Sequence, residues 1–293
     1  MNAASLGLVL LAGLIHASWN IAAKKAGGDV RFATFSSILV TLIWGPLGLW
    51  LGWHVVPTWG LLEWGLVTAS GAVHVLYYIA LLRGYRKSDL TVVYPLARGS
   101  GPLLTSLVAI VFLGEHLTLL GAVGIAGVVA GVFFIAGGRG MLRAAHNPAR
   151  HAAIKSGIKY GLLTGVFIAA YSVVDGYAVK FVAMSPILLD YFGNLVRVAL
   201  LLPAIVRDRD TARAHWRAQW KYALLVAAVS PLAYVLVLYA MQMAPLSHVA
   251  PAREISMLFA ALLGGQLLGE RDRLARIAGA VLIAAGVMAL ALG

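Results

Sequence analysis

The stretch LTVVYPLARGSGPLLTSLVAIVFLGE, residues 90–115, decides how the rest of the chain is read. It is long and apolar enough to cross a bilayer, for which roughly 20 apolar residues suffice. Yet it carries Arg98 between Pro95 and Pro102, beside Gly99, Ser100 and Gly101. An intramembrane charge is costly and normally faces a cavity or a partner. Backbone freed by proline is tolerated in lipid only where it meets protein or a wet cavity. This segment is therefore predicted to be a kinked or partly unwound span lining something polar.

The composition around it agrees. Of 293 residues, 61% are hydrophobic and only 12% charged, with a mean hydropathy of +0.88. An ordinary soluble domain carries about 25% charged residues, so a soluble globular domain is excluded, and so is a disordered chain, which would be poor in aliphatic residues. Apolar runs between polar breaks give ten candidate spans: 4–23, 32–53, 60–82, 90–113, 118–137, 156–181, 187–206, 219–242, 248–269 and 273–291. The ninth, with Pro245 and Pro251 at its start, shares the expectation of a broken helix. An all-α integral membrane protein follows. The first apolar run starts near Ser5 with no basic region before it, so a cleaved signal peptide is not expected. Cysteine is absent, which excludes disulfides, thiol catalysis and thiolate metal sites.

The 23 Lys and Arg residues orient the spans. Nineteen lie in loops that follow odd-numbered spans, such as Lys24, Lys25 and Arg31 after the first and Arg207 to Lys221 after the seventh. The opposite side carries only Lys180, while Arg98, Arg197 and Arg253 fall inside spans. The positive-inside rule then places the basic loops in the cytoplasm, against anionic lipids, and both termini outside. The formal charge of +12 becomes a property of one membrane face, and no nucleic-acid partner is expected.

A repeat appears at a constant offset of 155 residues. Leu113-Gly114-Glu115 returns as Leu268-Gly269-Glu270, Ala97-Arg98 as Ala252-Arg253, Lys25 as Lys180, and Gly124 and Gly131 as Gly279 and Gly286. His16 and Asn20 correspond more loosely to Tyr171 and Asp175. Five spans per unit is an odd number, so the second unit enters the membrane inverted. Ten transmembrane helices as two inverted five-helix repeats are expected: 1–140, a cytoplasmic linker 141–155, and 156–293. Inverted repeats with broken helices at their interface are the sign of a secondary transporter.

The stretch Tyr94-Pro95-Leu96-Ala97-Arg98-Gly99, the segment Leu113-Gly114-Glu115-His116-Leu117-Thr118, its echo Leu268-Gly269-Glu270, and His16-Ala17-Ser18-Trp19-Asn20 before Lys24-Lys25 resemble the drug/metabolite transporter superfamily, EamA type. The resemblance covers nearly the whole chain and comes nearest to bacterial amino-acid exporters. It implies a ten-helix carrier in the cytoplasmic (inner) membrane that exports small metabolites, amino acids above all, with nucleotide sugars and phosphorylated sugars as other cargo of the group. In that pattern Glu115 and Glu270 close helix hairpins. Both read as structural, since a carboxylate is favoured near a helix N-terminus.

The polar residues inside the spans are the candidate substrate site. Arg98, with Tyr94 one turn before it, would bind a carboxylate or phosphate through its planar fork, or else satisfy carbonyls freed by the prolines or pair with Asp89. Arg253, followed by Glu254, reads as an anion site or as half of a structural pair. Asp175, one turn after Tyr171, reads as an amine-binding carboxylate or a protonatable coupling site, or as an ion pair with Lys180 or Arg197. His16, Trp19 and Asn20 share one face of the first span, and His74 and Tyr78 one face of the third. Either histidine could carry a coupling proton, or sit neutral in a hydrogen bond between helices. Tyr234 adds an aromatic wall. Asp190, Asn194 and Arg197 read as a polar ladder within one helix, and Trp44, Trp50, Trp53, Trp59 and Trp64 as an interfacial belt. Gly127/Gly131, Gly161/Gly165 and Gly265/Gly269 are small-residue faces for close helix contact within one chain or across a dimer, which leaves monomer and homodimer open.

No third ligand joins the two histidines at metal spacing, so no metal is expected, and no cofactor. Enzyme function is not expected either: neither a Gly-x-Ser-x-Gly nucleophile nor paired Gly-Asp motifs occur. A nucleotide-binding motif is also absent. Two alternatives to an amino-acid exporter stay open, a carrier of anionic phosphorylated or phosphonate compounds using Arg98 and Arg253 together, and a non-transporting membrane anchor or receptor module.

Overall fold

In a bilayer each backbone N–H and C=O must be satisfied within its own segment, which makes long apolar runs helical. The structure is a computed structural model and describes residues 1–88, 90–135, 151–264 and 273–293. Among them the regular structure is helical throughout. The helices are α1 (Ala3–Ala26), α2 (Val30–Gly52), α3 (Leu61–Lys87), α4 (Leu90–Phe112), α5 (Leu119–Ile135), α6 (His151–Lys180), α7 (Pro186–Leu201), α8 (Pro203–Val206), α9 (Arg209–Met243), α10 (Leu246–Ala252), α11 (Ile255–Gly264) and α12 (Arg273–Leu292), with a short 3-10 turn at Val56–Thr58. α7 with α8 forms the seventh span, and α10 with α11 the ninth. The result is ten transmembrane helices in two inverted repeats of five.

Polar caps set several helix ends where hydropathy alone misplaces them. The Asp208 side chain accepts the Thr211 N–H at 3.2 Å, so α9 starts ten residues before the predicted span. Asn2 and Asp29 cap α1 and α2 in the same way. Helix α6 starts at His151, inside the stretch read as linker; positions 141–150 lie outside the described residues, as do Asp89, Leu268-Gly269-Glu270 and Gly265/Gly269.

The two proline-bearing spans differ. α10 ends at Ala252 and α11 begins at Ile255, and the turn Arg253–Glu254 joins them through tightened backbone bonds, Glu254 N–H donating to Pro251 O and Met257 N–H to Glu254 O. α4, by contrast, runs unbroken through Pro95 and Pro102, which corrects the expectation of unwinding there. Hydroxyls take up carbonyls along it: Ser100 donates to Leu96 O at 2.5 Å and Thr105 to Gly101 O at 2.8 Å.

The repeats interlock rather than sit side by side. α1 lies against α9 and α11 of the second repeat, and its counterpart α6 lies against α3 and α4 of the first. α2 meets α7, and α5 meets α12. The α5–α12 crossing shows the pseudo-two-fold directly. A Cβ on Gly131 would lie 2.6 Å from the Gly279 carbonyl oxygen, and one on Gly124 2.8 Å from that of Gly286. These two contacts exchange under the repeat offset. The Gly124–Gly131 face is therefore used inside the chain, and Gly161 likewise presses on α4, with Leu96 Cβ 2.8 Å from its missing Cβ.

The outer surface is apolar, with Leu61 94% and Phe112 78% exposed, as lipid contact requires. Trp50 and Trp53 are exposed as a belt demands, whereas Trp44 turns inward and donates its indole N–H to Ala227 O at 3.1 Å. Asn194 departs from the ladder reading: it reaches across to α2, donating to Ser37 O and Thr41 Oγ1. Only Asp190 and Arg197 pair within α7, at 2.8 Å.

Candidate functional site

The interface between the repeats encloses a small cavity of about 60 Å³. It is lined by Gly13 and His16 of α1, Arg98 of α4, Tyr171 of α6, Tyr234 of α9, and Arg253 and Ser256 at the α10–α11 turn. Five spans thus meet at one point, and this turn supplies its floor. Gly13 permits the closest approach: a Cβ there would lie 2.6 Å from Ile255 Cγ2. A larger void of about 210 Å³ lies between α2, α7 and α9, but almost all its lining is apolar and it holds none of the convergent polar groups.

Charge organises the cavity. Arg98 Nη2 lies 2.9 Å from Glu254 Oε2 and 3.3 Å from Ser256 Oγ. Arg253 Nε lies 3.7 Å from the other Glu254 oxygen, and its Nη2 donates to the Tyr171 hydroxyl at 3.2 Å. The Arg253 guanidinium also stands over the Tyr171 ring, 5.5 Å from its centre. Glu254 is fully buried between the two arginines. Neither Arg98 Nε nor Arg253 Nε has a hydrogen-bond acceptor. Adjacent residues of a helix face different ways, which is why Glu254 escapes a reading of helix faces. At the 253–254 turn between α10 and α11 both residues face the cavity cluster, Glu254 meeting Arg98.

Behind the cavity stands an aromatic wall. His74 stacks on Tyr171 at 4.0 Å and meets Tyr234 edge-on at 5.4 Å. Tyr77, beside Tyr78 on α3, packs edge-on against Tyr171 at 5.8 Å. His74 Nδ1 lies 2.8 Å from Ser70 O in its own helix. The Tyr234 hydroxyl donates to Asp175 Oδ2. Asp175 is wholly buried and pairs with neither expected cation, since Lys180 engages Glu115 at 3.1 Å and Arg197 engages Asp190.

The structure thus brings His16, Arg98, Tyr171, Tyr234 and Arg253 to one cavity, with His74 and Asp175 directly behind. It takes other candidates elsewhere. Tyr78 donates to Asp29 O at 2.8 Å, at the N-terminus of α2. Asn20 turns back to His16 O in its own helix. Trp19 meets the His16 ring edge-on at 4.8 Å but packs into the Phe32–Ala223–Val226 cluster. Tyr94 packs against the main core.

Glu115 does close a structural joint, though with a different helix from the one expected. Gly114 takes φ +68, a conformation glycine adopts freely, and this turn aims the Glu115 carboxylate at the other repeat. Its oxygens accept the amides of Leu246 and Ser247 at 2.7 and 2.8 Å, the first residues of α10, and Lys180 closes the group. Burial alone would raise the Glu115 pKa. The Ser247 and Leu246 amides and the Lys180 ammonium outweigh it and hold the carboxyl below its usual range.

Two comparisons bear on this architecture. The sequence matches the EamA-like transporter family over residues 4–137 and 155–292. A crystal structure, described only as that of a protein, superposes on 100% of this chain and 98% of its own, with a TM-score of 0.75 at 16% sequence identity. At that identity the likeness speaks for the fold. No curated protein matches the sequence. Two matched repeats spanning nearly all of the sequence establish that the chain belongs to the EamA-like transporter family.

Proposed function

We propose that this transporter exports small metabolites, amino acids above all, by alternating access through the cavity between its repeats. The observation that carries this reading is the convergence of two arginines on one enclosed site beside the α10–α11 turn. In this reading Arg98 meets the substrate carboxylate. The amine meets the Tyr234–Asp175 pair, and Tyr171 and His16 border the side chain. The cavity measures only about 60 Å³, well under the roughly 150 Å³ of a cavity that holds benzene. Substrate must therefore open it, and can do so only by binding one state better than another. The basic loops would lie on the cytoplasmic side of the inner membrane, with both termini outside.

A second reading, supported by Arg253 lying beside Arg98, is a carrier of phosphorylated or phosphonate compounds. Counterflow in proteoliposomes separates the two. Vesicles loaded with unlabelled amino acids should accumulate labelled amino acid, with phosphate esters failing to compete. Strong competition by phosphate esters and none by amino acids would overturn the first reading in favour of the second.

A further inference from the structure

The cavity contains a charge count that its two arginines alone conceal. With histidine taken as neutral, Arg98 and Arg253 contribute two positive charges and the buried Glu254 between them removes one. Counted over Arg98, Arg253 and Glu254 alone, this cluster is cationic by a single charge, with Asp175 set behind it and hydrogen-bonded by Tyr234. Each guanidinium also keeps an Nε–H without a hydrogen bond, and the Glu254 oxygens, though ion-paired, accept none. Buried unpaired donors are costly, and these belong to two side chains that line the cavity. Such a cluster suits one anionic group bringing acceptor oxygens rather than two negative charges.

We propose that Glu254 sets the charge of the ligand: as a built-in counter-ion it limits the arginine pair to one further negative charge, so the site takes a carboxylate and disfavours a dianion. Two arginines without it would suit a phosphate or sulfate, which their forks match equally well in shape. Selectivity here comes from a repulsive element, the fixed carboxylate, as much as from the attractive ones. The position is also suited to coupling. Glu254 sits in the two-residue gap between α10 and α11, so an anion that competes for Arg98 acts directly on the joint between them. The proposal rests on the reading of this cavity as the substrate site, but not on which metabolite is carried.

Bare ions that carry the anionic group alone provide the test. The purified full-length protein in detergent is titrated with acetate or with sulfate at matched ionic strength, and thermal stability is read. Comparing variants cancels the general salting effect of sulfate. The wild-type protein should respond to acetate at lower concentration than to sulfate. Glu254→Gln should reverse that order, shifting the ratio of half-saturating concentrations about tenfold, as one added charge pair implies. The double variant Arg253→Gln/Glu254→Gln restores the single net charge and should restore the acetate preference. Arg253→Gln alone, which retains Glu254 and leaves no net charge, should respond weakly to both ions; it serves as the readout if Glu254→Gln does not purify as a monodisperse species. An unchanged order in all variants, or no saturable response to either ion in the wild type, would overturn the proposal. Because no amino acid is used, these outcomes are independent of the counterflow result.

Discussion

Arg98→Ala is expected to abolish counterflow and also to destabilise the protein. Arg98 is the cavity cation closest to Glu254, at 2.9 Å. Removing it leaves a fully buried carboxylate with only the longer 3.7 Å contact to Arg253. Breaking a buried pair by deleting one partner typically costs about 3–5 kcal/mol. Loss of transport in this variant alone would thus not distinguish a binding role from a folding role. The double variant Arg98→Ala/Glu254→Gln separates them. It removes the stranded charge, so most of the lost thermal stability should return while transport stays absent. Recovery of transport to the wild-type rate in the double variant would show that Arg98 serves only to neutralise Glu254.

Gly131→Leu is expected to yield no folded protein, and even Gly131→Ala should cost about 1–3 kcal/mol, the usual range for overfilling a tight contact. The neighbours of a Cβ at this point are the Gly279 carbonyl oxygen at 2.6 Å and Ile283 N at 2.8 Å. These are backbone atoms of α12, so no side-chain rotation relieves the clash, and the helices must separate. Separation would propagate to Gly124 and Gly286 on the same crossing. Gly279→Ala should cost a similar amount, because its missing Cβ lies 2.7 Å from Gly131 O. Gly65→Ala is the control: nothing lies within 4 Å of that position, so it should be neutral or slightly stabilising. Monodispersity on size exclusion and thermal unfolding of the purified variants provide the measurement. An α5–α12 crossing that accepted leucine at Gly131 would contradict the inverted-repeat seam.

Much of the fold was legible in the sequence because bilayer helices leave strong marks. The apolar runs, the one-sided basic loops and the 155-residue offset each point to the same inverted arrangement. Gly124 and Gly131 were recognisable as small-residue positions, but their partners were not. Only the three-dimensional crossing shows that each faces the image of the other. Helix ends set by polar caps, such as Asp208 before α9, lie beyond what hydropathy registers. Within the site, intramembrane charge singled out Arg98, Arg253 and Asp175 before any geometry was known. Glu254 was visible only as the neighbour of Arg253, because a face argument assumes a continuous helix and α10 gives way to a tighter turn at that residue. Tyr78 and Asn20 stand outside the cavity lining for a complementary reason. Spacing placed them on a shared face with His74 and His16, yet nearby backbone carbonyls, of Asp29 and His16 itself, engage their polar ends.

Alternating access requires the cavity around Arg98 to open in turn to the two sides of the membrane. The chain has no cysteine, so Ser256→Cys places a single thiol beside Arg98 in that cavity. A membrane-impermeant thiol reagent is then applied separately to each face of oriented vesicles. The alternating cavity predicts labelling from both faces, with an exported amino acid slowing the reaction from each. Labelling from one face only, unchanged by any amino acid, would contradict it.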